Sequence, residues 1–77
     1  MPSSKVVFGQ YIRELRTTKG ISQEKLAELC GLNRNYLNRL EHGRTEPKLE
    51  SILKLAHGLG VDHAHLLRPF RRWKPQT

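Results

Sequence analysis

Cysteine occurs once in these 77 residues, at position 30, so no internal disulfide can staple the chain, and a reducing cytoplasm is the expected compartment. The opening MPSSKVV lacks the charged-then-apolar layout of a secretory signal, and no stretch approaches the roughly 18 apolar residues of a membrane span. No membrane partner is expected. Acids are scarce: 7 Asp plus Glu stand against 14 Lys plus Arg, a net charge of +7. Such an excess on a small body favours polyanions, nucleic acid ahead of an anionic membrane surface. Aromatic residues are few, and hydrophobic residues make up 36% of the chain, adequate for a small helical core. At this length only about 60% of the unfolded surface is buried on folding, so a single domain of marginal stability is expected, and that favours dimerisation. No nucleophile and base pair is visible, and short helices leave little room for a pocket, which argues against an enzyme, a cofactor or a small-molecule ligand. His63 and His65 would project about 200° apart on one helix, and with His57 they lack the thiol or carboxylate partners of a metal site.

What is present is helical punctuation. Phe8, Tyr11, Ile12 and Leu15 repeat at helical spacing until Gly20, predicting a first helix over roughly 5–18. Ser22 caps a second helix, with Ile21 stapled onto Leu26, and Leu26, Ala27, Leu29 and Cys30 line its inner side to Gly31. Asn33 caps a third helix, with Leu32 stapled onto Leu37, running to His42-Gly43. Two helices joined this tightly cross steeply. Arg44-Thr45-Glu46-Pro47 reads as a polar loop, and Leu49, Ile52, Leu53 and Ala56 define a fourth helix closed by Gly58 and Gly60. Asp62 caps one last turn, His63 to Leu67, before Pro69 breaks the pattern. No strand pattern, internal repeat or low-complexity segment is present. The expected organisation is an all-α domain over 5–67 followed by a basic tail, 68–77.

The third helix carries an unusual exposed face. The leucines of the segment 31–43 fall at 32, 37 and 40, while Arg34, Asn35, Asn38 and Arg39 occupy the outward positions. Arg can donate two hydrogen bonds to guanine O6 and N7, and Asn can donate to and accept from adenine. Glu there would repel phosphates. Ala27 and Gly31, four apart, suit the close approach and the left-handed turn of a steep helix pair.

The run I-R-x-L-R before K-G-I-S-Q, then L-A-x-x-x-G-L, Y-L-x-x-L-E-x-G-R, Pro47 and L-A-x-x-L-G-V resembles the helix-turn-helix of the Cro and phage-repressor class, the xenobiotic-response-element type of bacterial regulator, over residues 8–67. The resemblance implies a compact five-helix, lambda-repressor-like domain with the helix-turn-helix at helices two and three, a regulator that binds double-stranded DNA with sequence preference through helix three in the major groove. It maps base reading onto Arg34, Asn35 and Arg39, with Asn38 close behind, and a backbone anchor onto Gln23. Tyr36 would stack on a thymine methyl or hydrogen-bond a phosphate. Arg44 and Lys48 would flank the groove and position the domain. Arg16 and Glu41 match a pair that ties helix one to helix three, a structural role shared with Ala27 and Gly31. Two departures stand out: Lys25 replaces the acid that would complete the capping box with Ser22, and Lys48 replaces the usual Ser or Thr cap of helix four.

Recognition of paired half-sites about 34 Å apart implies a homodimer on a palindromic operator. Leu55, Leu59, Leu66 and Leu67 are candidates for its contact, with a core role as the alternative for some of them. Phe70 and Trp73 could pack on the domain or its dimer mate, the first expectation, or meet an acidic or lipid surface, while Arg68, Arg71, Arg72 and Lys74 hold phosphates or stay free. The chain ends soon after the helical unit, so no effector-binding domain is expected. The build and "LNRNYL" resemble the controller proteins of restriction-modification systems, with a Cro-like repressor and a toxin-pair antitoxin as rivals. A protein-interaction adaptor and an RNA binder are the readings from other classes; the RNA reading lacks exposed stacking aromatics on a sheet.

Overall fold

A computed structural model describes residues 2–75 as five α-helices and a terminal 3₁₀ turn: α1 (Ser4–Thr18), α2 (Gln23–Cys30), α3 (Arg34–Glu41), α4 (Leu49–Leu59), α5 (His63–Leu66) and the turn Arg68–Phe70. No described residue lies in a strand, and no helix is long and apolar enough to cross a membrane. The last two residues of the expected 68–77 tail lie outside the described residues.

Side-chain caps place three of the helix starts. Ser22 Oγ accepts from the Lys25 amide at 3.0 Å, Asn33 Oδ1 from Asn35 and Tyr36 at 2.8 and 3.1 Å, and Asp62 Oδ1 from Ala64 at 3.2 Å. Each satisfies amides that the first helical turn leaves without an internal acceptor. Lys48 stands at the start of α4 and makes no such bond, as its side-chain chemistry requires. Between α2 and α3, Gly31 adopts φ 68° and ψ 35°, and the Leu32 amide returns to the Ala27 carbonyl at 2.9 Å. That left-handed closure stops α2 and turns the chain within three residues into α3; a side chain at position 31 would strain it.

The core is drawn from all five helices: Phe8 and Ile12 from α1, Leu26, Ala27 and Cys30 from α2, Leu37 and Leu40 from α3, Leu55, Ala56 and Leu59 from α4, and Leu66 from α5. Burying each large aliphatic side chain contributes about 1.5–3 kcal/mol. Three of the four leucines expected at a dimer contact are thereby reassigned. Leu55, Leu59 and Leu66 are within 3% of full burial inside one chain, because α4 packs against α2 and α5, and α5 against α1 and α4, and only Leu67 stays half-exposed.

One further expectation changes. Gly58 lies inside α4 instead of closing it; its missing side chain leaves room for Cys30 on α2, and Gly60 ends the helix. Packing continues past Leu67, in line with the first expectation for Phe70 and Trp73. Pro69 sits in the first turn of the 3₁₀ segment, where its lack of an N–H costs nothing, and Phe70 stacks on Phe8 with centroids 6.4 Å apart. Trp73 meets Phe70 edge-on at 6.2 Å, and its indole N–H is shielded with no acceptor among the described residues.

Candidate nucleic-acid interface

The side chains of α3 divide between two environments. Leu37 and Leu40 are sealed against the core, and Arg34, Asn35, Asn38 and Arg39 are exposed. All four expected base-reading residues are therefore available together on one short helix. Its C-terminal end is fixed by Glu41, whose carboxylate is 1% exposed and would be destabilising there without partners. Arg16 on α1 supplies two hydrogen bonds, Nε to Oε2 at 2.7 Å and Nη2 to Oε1 at 3.1 Å, and its Nη1 reaches the Ile21 carbonyl at 2.9 Å. The Gln23 amide adds a third, Nε2 to Oε1 at 3.0 Å. One buried carboxylate thus joins α1, the lead into α2, and α3.

Gln23, expected as a phosphate anchor, has its side-chain amide engaged within the protein: besides Glu41, its Oε1 accepts from Asn38 Nδ2 at 3.2 Å. Its place at the first residue of α2 still puts it beside the exposed face of α3. Tyr36 departs further from expectation. Its hydroxyl hydrogen-bonds Ser51 Oγ on α4 at 2.9 Å, so the phenol braces α3 against α4, and the Arg39 guanidinium lies 5.9 Å from its ring centroid. The exposed ring face steadies an arginine through its negative quadrupole.

Two residues escaped the sequence. Glu24, in the first turn of α2, lies 3.6 Å from Arg34 across the helix pair. Both side chains are more than 60% exposed, so the pair is weakly held and readily exchanged for another anion. Ser51 is nearly buried and receives Tyr36, a role that a lone Ser inside a helix does not announce. Arg44 and Lys48, flanking the loop after α3, are exposed and form no ion pair among the described residues.

Chemically, the exposed face of α3 offers guanidinium donors and amides that donate and accept, mounted on a helix whose inner face is locked. This matches what base edges in a major groove present, and the helix dimensions fit that groove. Cationic residues at the rim suit phosphates.

The helix-turn-helix profile matches residues 12–66, and the chain belongs to that family. It is 41% identical over 64 residues to the control protein C.BamHI of Bacillus amyloliquefaciens, an alignment covering 82% of this chain and 79% of that protein. To the SPbeta prophage-derived uncharacterized HTH-type transcriptional regulator YonR of Bacillus subtilis it is 37% identical over 62 residues, covering 80% of this chain and 57% of that one. Among solved structures, the restriction-modification controller protein C.AhdI from Aeromonas hydrophila aligns with a TM-score of 0.78 at 50% identity, over 80% of this chain and 94% of that one. The five-helix architecture with the helix-turn-helix at α2 and α3 agrees with the sequence expectation.

Proposed function

We propose that this chain is a transcriptional regulator that binds double-stranded DNA with sequence preference, laying α3 in the major groove and acting as a homodimer on a palindromic operator. The observation that carries the reading is the split character of α3: four exposed Arg and Asn side chains opposite a fully buried leucine pair and a buried, triply bonded Glu41. A face kept merely for solubility needs no such anchoring. Base reading is assigned to Arg34, Asn35, Asn38 and Arg39, and backbone contact to Arg44, Lys48 and the α2 start at Gln23. Tyr36 acts through Arg39 and α4.

Dimer contact is assigned to the apolar surface that the monomer leaves open. Leu67 is 49% exposed beside a groove walled by Phe8, Pro47, Ile52, Phe70 and Trp73, and Leu49 and Leu53 on α4 are exposed as well. Similarity to C.BamHI and C.AhdI supports a narrower reading, control of a restriction-modification system.

The test is selection of bound fragments from random duplexes, followed by titration of the winning and scrambled duplexes at two salt concentrations. Enrichment of an inverted repeat, held at least about 1000-fold tighter than scrambled DNA, is the expected result. Equal retention of all duplexes, or preference for single strands, would overturn it. Light scattering of the free protein checks the dimer.

A further inference from the structure

We infer that Glu41, acting through Gln23, sets the orientation of the Asn38 side chain and so makes Asn38 a reader of adenine that rejects guanine. The inference rests on the proposed placement of α3 in the major groove.

It follows from which atoms can face which. The Glu41 carboxylate, clasped by Arg16, offers only acceptors to Gln23. The Gln23 amide must therefore turn its Nε2 toward Glu41 Oε1, at 3.0 Å; the flipped amide would set two acceptor oxygens against each other. With Nε2 committed, Oε1 faces α3, and only a donor can meet it. Asn38 supplies that donor, Nδ2, at 3.2 Å. Its own flip would again oppose two oxygens, so the choice made at the buried carboxylate passes through two amides to the protein surface.

The orientation decides what Asn38 shows to DNA. One Nδ2 hydrogen is used by Gln23, leaving Oδ1 as acceptor and the second Nδ2 hydrogen as donor. Adenine presents the matching pair in the major groove, the N6 amine and N7. Cytosine presents only the amine. Guanine shows N7 and O6, both acceptors, and thymine shows O4 and a methyl group, so neither can satisfy Oδ1. An unrestrained Asn could turn both amine hydrogens to guanine O6 and N7; the restrained one has a single free N–H, and giving it to guanine sets Oδ1 against a second acceptor. Glu41 and Gln23 are positioning residues in this scheme, and Asn38 is the group that touches the base.

The experiment selects bound fragments from random duplexes with the full-length wild type, Asn38→Ala and Gln23→Ala. Asn38→Ala is expected to erase preference at one base pair per half-site, where the wild type selects adenine, and Gln23→Ala to admit guanine in the adenine's place. Replacing that adenine by purine, which lacks the N6 amine, is expected to weaken the wild type about tenfold and Gln23→Ala by no more than about threefold. Gln23→Met, which keeps the side chain's length without an amide, should broaden the preference in the same way, and thermal melting of each variant establishes that it is folded. An adenine preference unchanged in folded Gln23→Ala and Gln23→Met, or an Asn38→Ala variant with the wild-type preference at every position, overturns the inference and leaves DNA reading by α3 standing. Failure of the wild type to enrich any duplex overturns the proposed function itself.

Discussion

The Arg16 guanidinium holds both oxygens of Glu41, at 2.7 and 3.1 Å, across the junction of α1 and α3. The carboxylate is nearly inaccessible and the arginine side chain only 13% exposed, so either group left alone would be a poorly solvated charge. Glu41→Ala or Arg16→Ala should therefore cost about 3 kcal/mol, read as a fall in Tm of more than about 10 °C. Replacing both, with Arg16→Met and Glu41→Leu, should cost clearly less than the two single losses added together, since neither charge is then stranded. Additive losses in the double variant would contradict the pairing.

Gly9 fixes how closely α1 and α3 approach. A Cβ there would collide with the Leu40 carbonyl oxygen and lie 3.1 Å from that of Glu41, and both belong to backbone that cannot swing aside. Gly9→Ala should destabilise the fold by about 2 kcal/mol or more, although alanine is the better helix former in isolation. Denaturant unfolding measures this; a neutral or stabilising result would mean that the two helices sit further apart.

These two contacts mark where sequence reasoning succeeds and where it stops. Arg16 and Glu41 were legible as a pair through the family resemblance, and the starts of α2, α3 and α5 through Ser22, Asn33 and Asp62, because a cap acts over three residues and leaves a local signature. Gly9 and Gly58 were not legible as contact points, since a close approach between helices depends on residues 28 to 32 positions away. Leu55, Leu59 and Leu66 look alike as core or interface from spacing alone; only the covering of α4 and α5 by their neighbours decides. Phe70 has no helical period around it, and what orders it is the distant ring of Phe8. On α3 the exposed quartet was plain from periodicity, whereas the bonds from Glu41 to Gln23 to Asn38 needed three dimensions.

Cys30 gives a pH-dependent signal. Burial against α4 disfavours the thiolate and pushes the thiol from 9.0 up to about 11, partly offset by a hydrogen bond from the Gly58 backbone. Between those values the unfolded chain releases the proton and the folded chain keeps it, so folding stability is intact below about pH 9 and falls as pH rises toward 11. The loss should be on the order of 2–3 kcal/mol. Comparing denaturant midpoints of the wild type and Cys30→Ala across this range isolates the contribution of the thiol. The native thiol should also react with alkylating reagents at pH 8 only as fast as the protein opens.

The proposed interface divides its labour between base edges and phosphates. Arg34 and Arg39 project from α3 itself, whereas Arg44 follows it in the loop. Arg34→Ala or Arg39→Ala should relax preference at one base pair each, costing about 1–3 kcal/mol on the selected operator and far less on random duplex. Arg44→Ala should weaken every duplex alike and reduce the slope of log affinity against log salt by about 0.9 per protomer, the signature of one lost phosphate contact. Glu24 supplies an internal control, because it lies 3.6 Å from Arg34 and competes for the same guanidinium. Glu24→Gln should tighten binding to the operator and leave the base preference at the Arg34 position intact. If all three arginine variants lost affinity equally on operator and random DNA, the exposed face of α3 would be serving as charge alone, and its assignment to base reading would be wrong.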